Sequence, residues 1–201
     1  LSDSSFVDMM TPRRVCFHQL AARLPACQSL SPRPGRVWTV VTPVFKLRVK
    51  TDDDASWITE WLSGGGADFI ISRGRKLYPA KLPGFVAEDP EGKRLGLVTY
   101  DIVGEQCEVV TLDSFEQWQG IGTELMLRVA ESAREAGCKR LWLITTNDNI
   151  DAIRFYQRRD MTIAAVHAGA IGESRKLKPS IPEVGLYGIP IRDEIEFEMM
   201  L

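Results

Sequence analysis

Alternating hydrophobic and polar positions mark several short stretches of this chain and predict strands there. Residues 45–50 alternate apolar with polar side chains, as a half-buried strand does. Residues 84–88 and 94–100 predict two further strands that flank a turn of Asp, Pro and Gly residues. Runs rich in β-branched and aromatic residues predict the remaining strands, at residues 107–112, 141–146, 162–168 and 192–200.

A different spacing of apolar residues predicts three helices. From Ile121 onward, apolar side chains recur every three or four residues until Gly137, which suits the residue after a helix end. A second helix follows the carboxylates at 52–54, because apolar residues there form one stripe from Trp57 to Leu62. A third helix is predicted around Phe155.

The resulting order, β-α-β-β-β-α-β-α-β-β, predicts an α/β (α+β) chain with a mixed sheet and helices on its faces. Residues 67–82 show no clear pattern. Residues 169–190 read as a long connection, and long connections are uncommon unless functional. Its cations Arg175, Lys176 and Lys178 would either meet an anionic ligand over the active site or lie in a solvated basic loop.

The amino-acid composition limits the classes to which this protein can belong. The chain has 201 residues, 44% hydrophobic and 26% charged, with a net charge of −2, which is ordinary for a globular domain. The cysteines show no metal-like spacing, so we predict no metal, reduced thiols and a cytoplasmic location. Residues 1–42 are rich in proline and arginine, and we expect a poorly ordered or accessory extension there, followed by one domain at 43–201.

The turn between the predicted strand at 107–112 and the helix at Ile121 is the best candidate for a ligand site. Its glycines, Gly120 and Gly122, let a ligand approach the backbone, and the first N–H groups of the helix suit a pyrophosphate. A P-loop would need a lysine after the glycines, and none is there. A dinucleotide fingerprint would need a third glycine where Leu125 stands, so that alternative fails too.

Two motifs in this order give the chain a resemblance to a known superfamily. The first is Gln117-x-x-Gly120-x-Gly122, and the second is Asn149-x-x-Ala152-x-x-x-Tyr156. Together they resemble the GNAT superfamily of acyl-CoA-dependent N-acetyltransferases, over roughly residues 45–201. The resemblance implies a mixed, mostly antiparallel sheet of six to seven strands with helices on both faces. It also implies that the strands at the two motifs run parallel and splay apart.

The resemblance further implies acetyl-CoA as the cosubstrate, with no metal. Its pantetheine arm would lie between the two splayed strands and its pyrophosphate at the glycine turn. The cofactor-binding residues implied in this way are Leu112, Asp113, Ser114, Gln117, Trp118, Gln119, Gly120, Ile121, Gly122, Thr123 and Asn149. Asn149 also suits a helix cap, which is its structural alternative.

The implied chemistry is direct attack of a neutral amine on the thioester. A backbone N–H at Leu112 or Asp113 would stabilise the oxyanion, and Tyr156 would protonate the departing thiolate as the catalytic acid. Glu108 and Asp113 have opposite parity along one strand, so they are expected on different faces of the sheet. Neither is assigned as the base. The family's usual Gly-Phe after the tyrosine helix is replaced by Asp160-Met161.

The sequence leaves two candidate functions, one an enzyme and the other a binding module. The first is an enzyme that acetylates a small-molecule or peptide amine, with no nucleic acid or membrane as partner and with a homodimer as one assembly it could form. The alternative is a non-catalytic CoA-binding GNAT-like module that serves as a sensor or partner domain. The presence of Tyr156 favours the enzyme.

Overall fold

A computed structural model describes residues 45–64, 66–116 and 119–201. The nine strands of these ranges are β1 Lys46–Val49, β2 Ile70–Ser72, β3 Arg75–Leu77, β4 Gly84–Glu88, β5 Arg94–Val103, β6 Gln106–Ser114, β7 Arg140–Thr146, β8 Thr162–His167 and β9 Glu194–Met200. The α-helices of these ranges are α1 Ala55–Ser63, α2 Ile121–Glu135, α3 Ile150–Gln157 and α4 Ala170–Leu177.

Seven of the strands form one sheet in the order β1-β4-β5-β6-β7-β9-β8. Every neighbouring pair is antiparallel except β6 and β7, which run parallel. This confirms the mixed, mostly antiparallel sheet. The segment 67–82, which had no clear pattern, contains the separate two-stranded hairpin of β2 and β3.

Helices cover both faces of the sheet, as predicted. On one face, α2 and α3 bury side chains such as Leu125 and Ala152 in the larger apolar cluster. On the other face, α1 and the β2–β3 hairpin pack against Val86 and Leu97 through Ile58 and Ile70. We call the first the α2 face and the second the hairpin face.

A β-bulge in β6 changes which face its side chains occupy. Thr111 lies opposite Thr99, but Tyr100 lies opposite Val109, so Val110 has no residue opposite it. An extra residue of this kind breaks the alternation of side chains along a strand.

The bulge makes the predicted separation of Glu108 and Asp113 wrong. Asp113 lies opposite Leu97, whose side chain is in the apolar cluster of the hairpin face. Glu108 accepts a hydrogen bond from Ser72 of the hairpin. Both carboxylates therefore lie on the hairpin face, because the bulge between them reverses the parity counted from the sequence.

The connection at 169–190 was expected as a loop, and this prediction was wrong because α4 lies inside it. Its cations are engaged within the structure. Arg175 donates to the carbonyl oxygens of Ile181 at 3.2 Å and Ile191 at 2.8 Å. Lys178 donates to the carbonyl oxygen of Phe69 at 3.1 Å. Arg175 and Lys178 thus hold their own segment together and attach it to the residues before β2.

The predicted extension at 1–42 lies outside the described residues. Within the described ranges, no helix is both long and apolar enough to cross a membrane. The same ranges contain no group of three or more His, Cys, Asp or Glu side chains arranged to hold a metal ion.

Candidate active site

A cleft opens between the parallel strands β6 and β7. Their pairing begins at Gln106 with Arg140 and ends at Val109 with Leu143. Beyond that point β6 stays paired with β5, and β7 stays paired with β9. The carboxyl-terminal halves of the two strands are therefore not paired with each other, and ligands of open α/β sheets bind in such crevices.

The backbone of β6 turns specific groups toward this cleft. Phe115 donates a backbone hydrogen bond to the carbonyl oxygen of Leu95 at 2.8 Å. Bonded and non-bonded pairs alternate along an antiparallel ladder. By this alternation, Asp113 bonds to β5, whereas Leu112, opposite Val98, directs its N–H and C=O away from β5 and into the cleft.

The side chains of these β6 residues serve the fold rather than the cleft. Leu112 is buried in the apolar cluster of the α2 face, and Asp113 is buried on the hairpin face. Ser114 is half-buried, and its hydroxyl donates to the carbonyl oxygen of Glu116 at 2.6 Å. Their contribution to a bound ligand would therefore come mainly from the backbone.

The glycine turn leads directly into α2. Gly120 precedes the helix in a left-handed conformation with φ 79°, where a side chain would be strained. The backbone N–H groups of Thr123 and Glu124 donate to the carbonyl oxygen of Gly120 at 2.9 and 3.1 Å. Ile121 and Gly122 begin the first turn, and their N–H groups precede the first bonds of the helix, where anions are attracted.

The remaining residues of the turn divide into three groups. Ile121 is buried, so it could offer a ligand its N–H but not its side chain. Gln119 is exposed, and its amide donates to the Glu116 carboxylate at 2.8 Å. Gln117 and Trp118 lie outside the described residues.

Gly122 lies close to a side chain of α3. A Cβ atom at this position would lie 3.3 Å from the ring of Phe155, on α3. A Cβ atom at Gly120 would meet nothing within 4 Å in the described part of the chain. Glycine thus suits the two positions of this motif for different reasons. At Gly120 the reason is the backbone conformation, and at Gly122 it is the close contact of two helices.

Asn149 caps α3 and keeps one buried donor. Its Oδ1 accepts a hydrogen bond from the N–H of Ala152 at 3.2 Å, so it caps α3. Its Nδ2 is buried and has no hydrogen-bond partner among the described residues. A buried amide donor is costly unless a partner is supplied. The cap therefore leaves a donor for a ligand at the end of β7.

Tyr156 lies on α3 and is buried against the sheet. Its ring centroid is 5.4 Å from that of Phe155 and 5.5 Å from that of Phe197. Phe197 lies directly opposite Leu143, the last β7 residue paired with β6. The tyrosine ring thus lies on the α2 face, near the β7 residue at which the pairing with β6 ends.

Sequence reasoning missed a contact that joins the two motifs. Arg159, just after α3, donates from Nε to the Oγ1 of Thr123 in the first turn of α2, at 3.0 Å. Its guanidinium lies 3.5 Å from the centroid of the Phe155 ring. This places a cation beside the helix N-terminus that was predicted to bind pyrophosphate. The sequence signal was a basic pair after the tyrosine helix, and the pattern did not show where either side chain points.

Two polar residues after β7 were also missed. Asn147 accepts hydrogen bonds from the N–H groups of Arg192 at 2.9 Å and Asp193 at 3.0 Å. Asp148, fully buried, accepts one from the N–H of Leu186 at 2.8 Å. They attach the segment between α4 and β9 to the end of the cleft. Their signal was the run Asn-Asp-Asn directly after a buried strand.

The backbone and the core accommodate Asp160-Met161 in place of Gly-Phe. Asp160 adopts a left-handed conformation with φ 61°, which Asp tolerates better than most residues. Met161 is buried in the apolar cluster of the α2 face, where it fills the place of an aromatic ring.

Burial excludes one potential nucleophile on β6. Cys107 is fully buried, and burial raises the pKa of its thiol to about 12. The thiolate is the reactive form of cysteine, and very little of it exists at neutral pH when the pKa is that high. Cys107 is therefore a poor candidate for a covalent acyl carrier.

Comparisons with known proteins agree with this geometry. A sequence model described as the acetyltransferase (GNAT) family matches residues 48–161. The chain is 49% identical over 121 residues to YdhI of Bacillus subtilis (strain 168), an uncharacterised protein, covering 60% of this chain and 76% of YdhI.

Solved structures show the same fold at low sequence identity. The IAA acetyltransferase from Bacillus cereus ATCC 14579 is 18% identical, with a TM-score of 0.61 over 78% of this chain and 99% of that one. A Bacillus subtilis acetyltransferase in complex with CoA is 19% identical, with a TM-score of 0.57 over 78% of this chain and 99% of that one.

Proposed function

This chain belongs to the acetyltransferase (GNAT) family, and from that premise we propose that it transfers the acetyl group of acetyl-CoA to an amine by direct attack. The observation that carries the proposal is the cleft where β6 and β7 part, with the N-terminus of α2 beyond the end of β6. The cleft fits a long thin arm, and the helix N-terminus fits its pyrophosphate.

The coenzyme would be held mainly by backbone groups. The first-turn N–H groups of Ile121 and Gly122 would bind pyrophosphate oxygens, and Arg159 would add a positive charge beside them. The Nδ2 of Asn149 would donate to a carbonyl of the pantetheine arm, which supplies the partner that this buried donor needs.

The oxyanion would be stabilised by the N–H of Leu112. Sequence reasoning left Leu112 and Asp113 as alternatives, and the hydrogen-bond alternation along β6 favours Leu112, because Asp113 bonds to β5. A fixed N–H aimed at the developing charge needs no reorganisation during the reaction.

Proton and bond changes balance without a covalent enzyme intermediate. The neutral amine nitrogen bonds to the acetyl carbon, and the carbon–sulfur bond breaks. The leaving thiolate takes a proton from the Tyr156 hydroxyl, and the surplus proton of the new amide nitrogen restores the tyrosine through water. The high pKa of Cys107 supports direct attack over transfer through an acetyl-cysteine.

The proposal is tested with the coenzyme first and the amine second. Acetyl-CoA should raise the melting temperature of the protein, and ATP and NAD should not. Turnover should then be measured with a panel of amines, using a thiol reagent to detect the CoA that is released. Equal stabilisation by ATP would mean that the turn binds phosphates generally. Tight binding of acetyl-CoA with no turnover on any amine would favour the non-catalytic CoA-binding module.

A further inference from the structure

A cavity of about 370 Å³ lies on the hairpin face, between the main sheet and the β2–β3 hairpin. The sheet contributes Asp101 from β5, Gln106 and Glu108 from β6, and Trp142 from β7. The hairpin side contributes Arg73 and Arg75. None of these side chains belongs to the proposed coenzyme site.

The cavity adjoins the closed end of the coenzyme cleft. Glu108 lies beside Trp142 in the parallel register, and the next pair, Val109 with Leu143, is the last before the strands part. A coenzyme whose pyrophosphate lies at α2 would direct its reactive end down the cleft toward this pair. A second substrate could reach that end from the cavity, on the face opposite Tyr156.

Two carboxylates lie directly opposite each other in this cavity. Asp101 and Glu108 are register partners on the antiparallel strands β5 and β6. Like charges in this position destabilise a sheet unless a cation lies between them. Glu108 is 3% exposed, so a charge on its carboxyl group is costly there unless a cation is paired with it. The arrangement is therefore a site that attracts a cation.

Arg75 is the cation that the chain itself supplies. Its guanidinium pairs with Asp101 at 3.3 Å and makes a shorter ion pair with Glu108. However, the Arg75 side chain is 45% exposed, and it belongs to a two-stranded hairpin separate from the main sheet. Such a side chain can move into solvent when another cation takes its place, because the buried Glu108 then keeps a positive partner.

Trp142 adds a second cation-attracting surface. Its ring is buried in the sheet and faces Arg73, whose guanidinium carbon is 5.8 Å from the ring centroid. Arg140 lies 5.5 Å from the same centroid. An aromatic face next to paired carboxylates is a recurring way to bind an ammonium group.

We propose that Asp101 and Glu108 form a subsite for a positively charged group of the acceptor, and that Arg75 occupies this subsite in the ligand-free protein. The inference rests on the proposed acetyl transfer and adds the class of acceptor. Leu112, the oxyanion donor, is four residues from Glu108, roughly 13 Å along a regular strand and less across the bulge. One nitrogen cannot be at both places. The acceptor is therefore an amine that carries a second cationic group away from the nitrogen that is acetylated.

The opposite charge preference gives the competing outcome. If the cavity selects an acceptor with a carboxylate, Arg73 and Arg75 bind that anion and Asp101 repels it. Replacing Arg75 then weakens acceptor binding. If the acceptor instead displaces Arg75 from the two carboxylates, replacing Arg75 removes a competitor and strengthens acceptor binding. The sign of a single measurement separates the two classes of acceptor.

The test uses aliphatic α,ω-diamines of increasing length, monoamines of the same length and free amino acids as acceptors, with acetyl-CoA saturating. The wild type should prefer a diamine of one chain length over the matched monoamine. Asp101→Asn should raise the KM for that diamine about tenfold, because a charge-assisted contact is lost. Arg75→Gln should lower it about fivefold, because the competing ion pair is gone.

The matched control is Lys76→Gln on the same hairpin strand, since Lys76 lies over the ring of Phe69, 4.7 Å from its centroid. It should leave the KM for the diamine unchanged. Acetyl-CoA affinity should match the wild type in each variant, and each variant should unfold in one cooperative transition, which shows that the fold and coenzyme site are intact. An increase in KM for Arg75→Gln in an intact protein, or equal use of diamines and monoamines, would overturn the inference.

Calorimetry keeps this inference separate from the proposed function. Binding of the diamine to the protein with CoA present requires no acetyl transfer. Binding that weakens in Asp101→Asn and tightens in Arg75→Gln would support the cation subsite even if turnover were absent. Turnover on monoamines and amino acids, with no diamine binding, would support acetyl transfer and overturn the subsite.

Discussion

Arg159 donates a hydrogen bond from Nε to the Oγ1 of Thr123 at 3.0 Å, and so connects the end of α3 to the first turn of α2. The same guanidinium donates to the carbonyl oxygen of Phe155 at 2.9 Å and covers its ring. The two motifs that predicted the coenzyme site are thus joined by a residue of neither motif. The contact holds a positive charge beside the helix N-terminus.

Replacing this arginine should weaken coenzyme binding. Arg159→Met keeps much of the apolar contact with Phe155 and removes the charge, so we expect acetyl-CoA affinity to fall about tenfold. The exposed neighbour Arg158 is the control, and Arg158→Met should change the affinity much less. Calorimetry at two salt concentrations should also show a weaker salt dependence for Arg159→Met. Equal affinities of the two variants would remove Arg159 from the coenzyme site.

Gly122 should be intolerant of branched side chains because of Phe155. In Gly122→Val the new Cβ atom would lie 3.3 Å from the Phe155 ring and its methyl groups would press against it, so we expect a loss of about 2 kcal/mol in the free energy of unfolding. A Cβ atom at Gly172 in α4 would have no described residue within 4 Å, so Gly172→Val should be neutral or slightly stabilising. Denaturant unfolding measures both. Similar losses at the two positions would mean that Phe155 is not the cause.

Tyr156 should affect turnover but not coenzyme affinity. Tyr156→Phe removes the hydroxyl and keeps the ring between Phe155 and Phe197. If the hydroxyl protonates the thiolate, kcat should fall about 10²-fold with unchanged acetyl-CoA affinity. Tyr187→Phe, at an exposed tyrosine, is the control and should keep full turnover. Full turnover in Tyr156→Phe would leave water or the substrate as the proton source.

The start of α1 should make stability depend on pH through Asp54. The Arg48 guanidinium, which donates to Asp54, holds the pKa of that carboxyl group well below its usual range. A lowered pKa in the folded state stabilises the protein above the unfolded pKa of about 4 and loses that contribution as the pH falls.

Asp54→Asn should therefore lower the free energy of unfolding by about 2 kcal/mol at pH 7, and the difference from wild type should begin to shrink below about pH 5 and go on shrinking toward the lowered pKa of the carboxyl group. Asp53→Asn, at the exposed neighbour, should show a much smaller difference. Thermal melts across this pH range provide the measurement. A difference that does not change with pH would mean that the packing of Asp54, rather than its charge, supports the helix start.

The sequence by itself determined most of the helices and strands of the main sheet and the local features that predict a ligand site. The strand before Ile121, the glycine turn and the helix after it are contiguous, and so are Asn149 and the helix that it caps. Their patterns follow from periodicity, backbone freedom and capping, which act over a few neighbouring residues. The family and its sheet could be recognised from these local features.

The tertiary structure decided what depends on pairing between distant segments. The unpaired Val110 placed Glu108 and Asp113 on one face, and register made Asp101 the partner of Glu108. The hairpin then brought Arg75 between these two carboxylates. A one-residue bulge leaves the composition of a strand unchanged yet reverses the face of every later side chain, so periodicity cannot reveal it. The charges that would select the acceptor meet only when β5, β6 and the hairpin pack together.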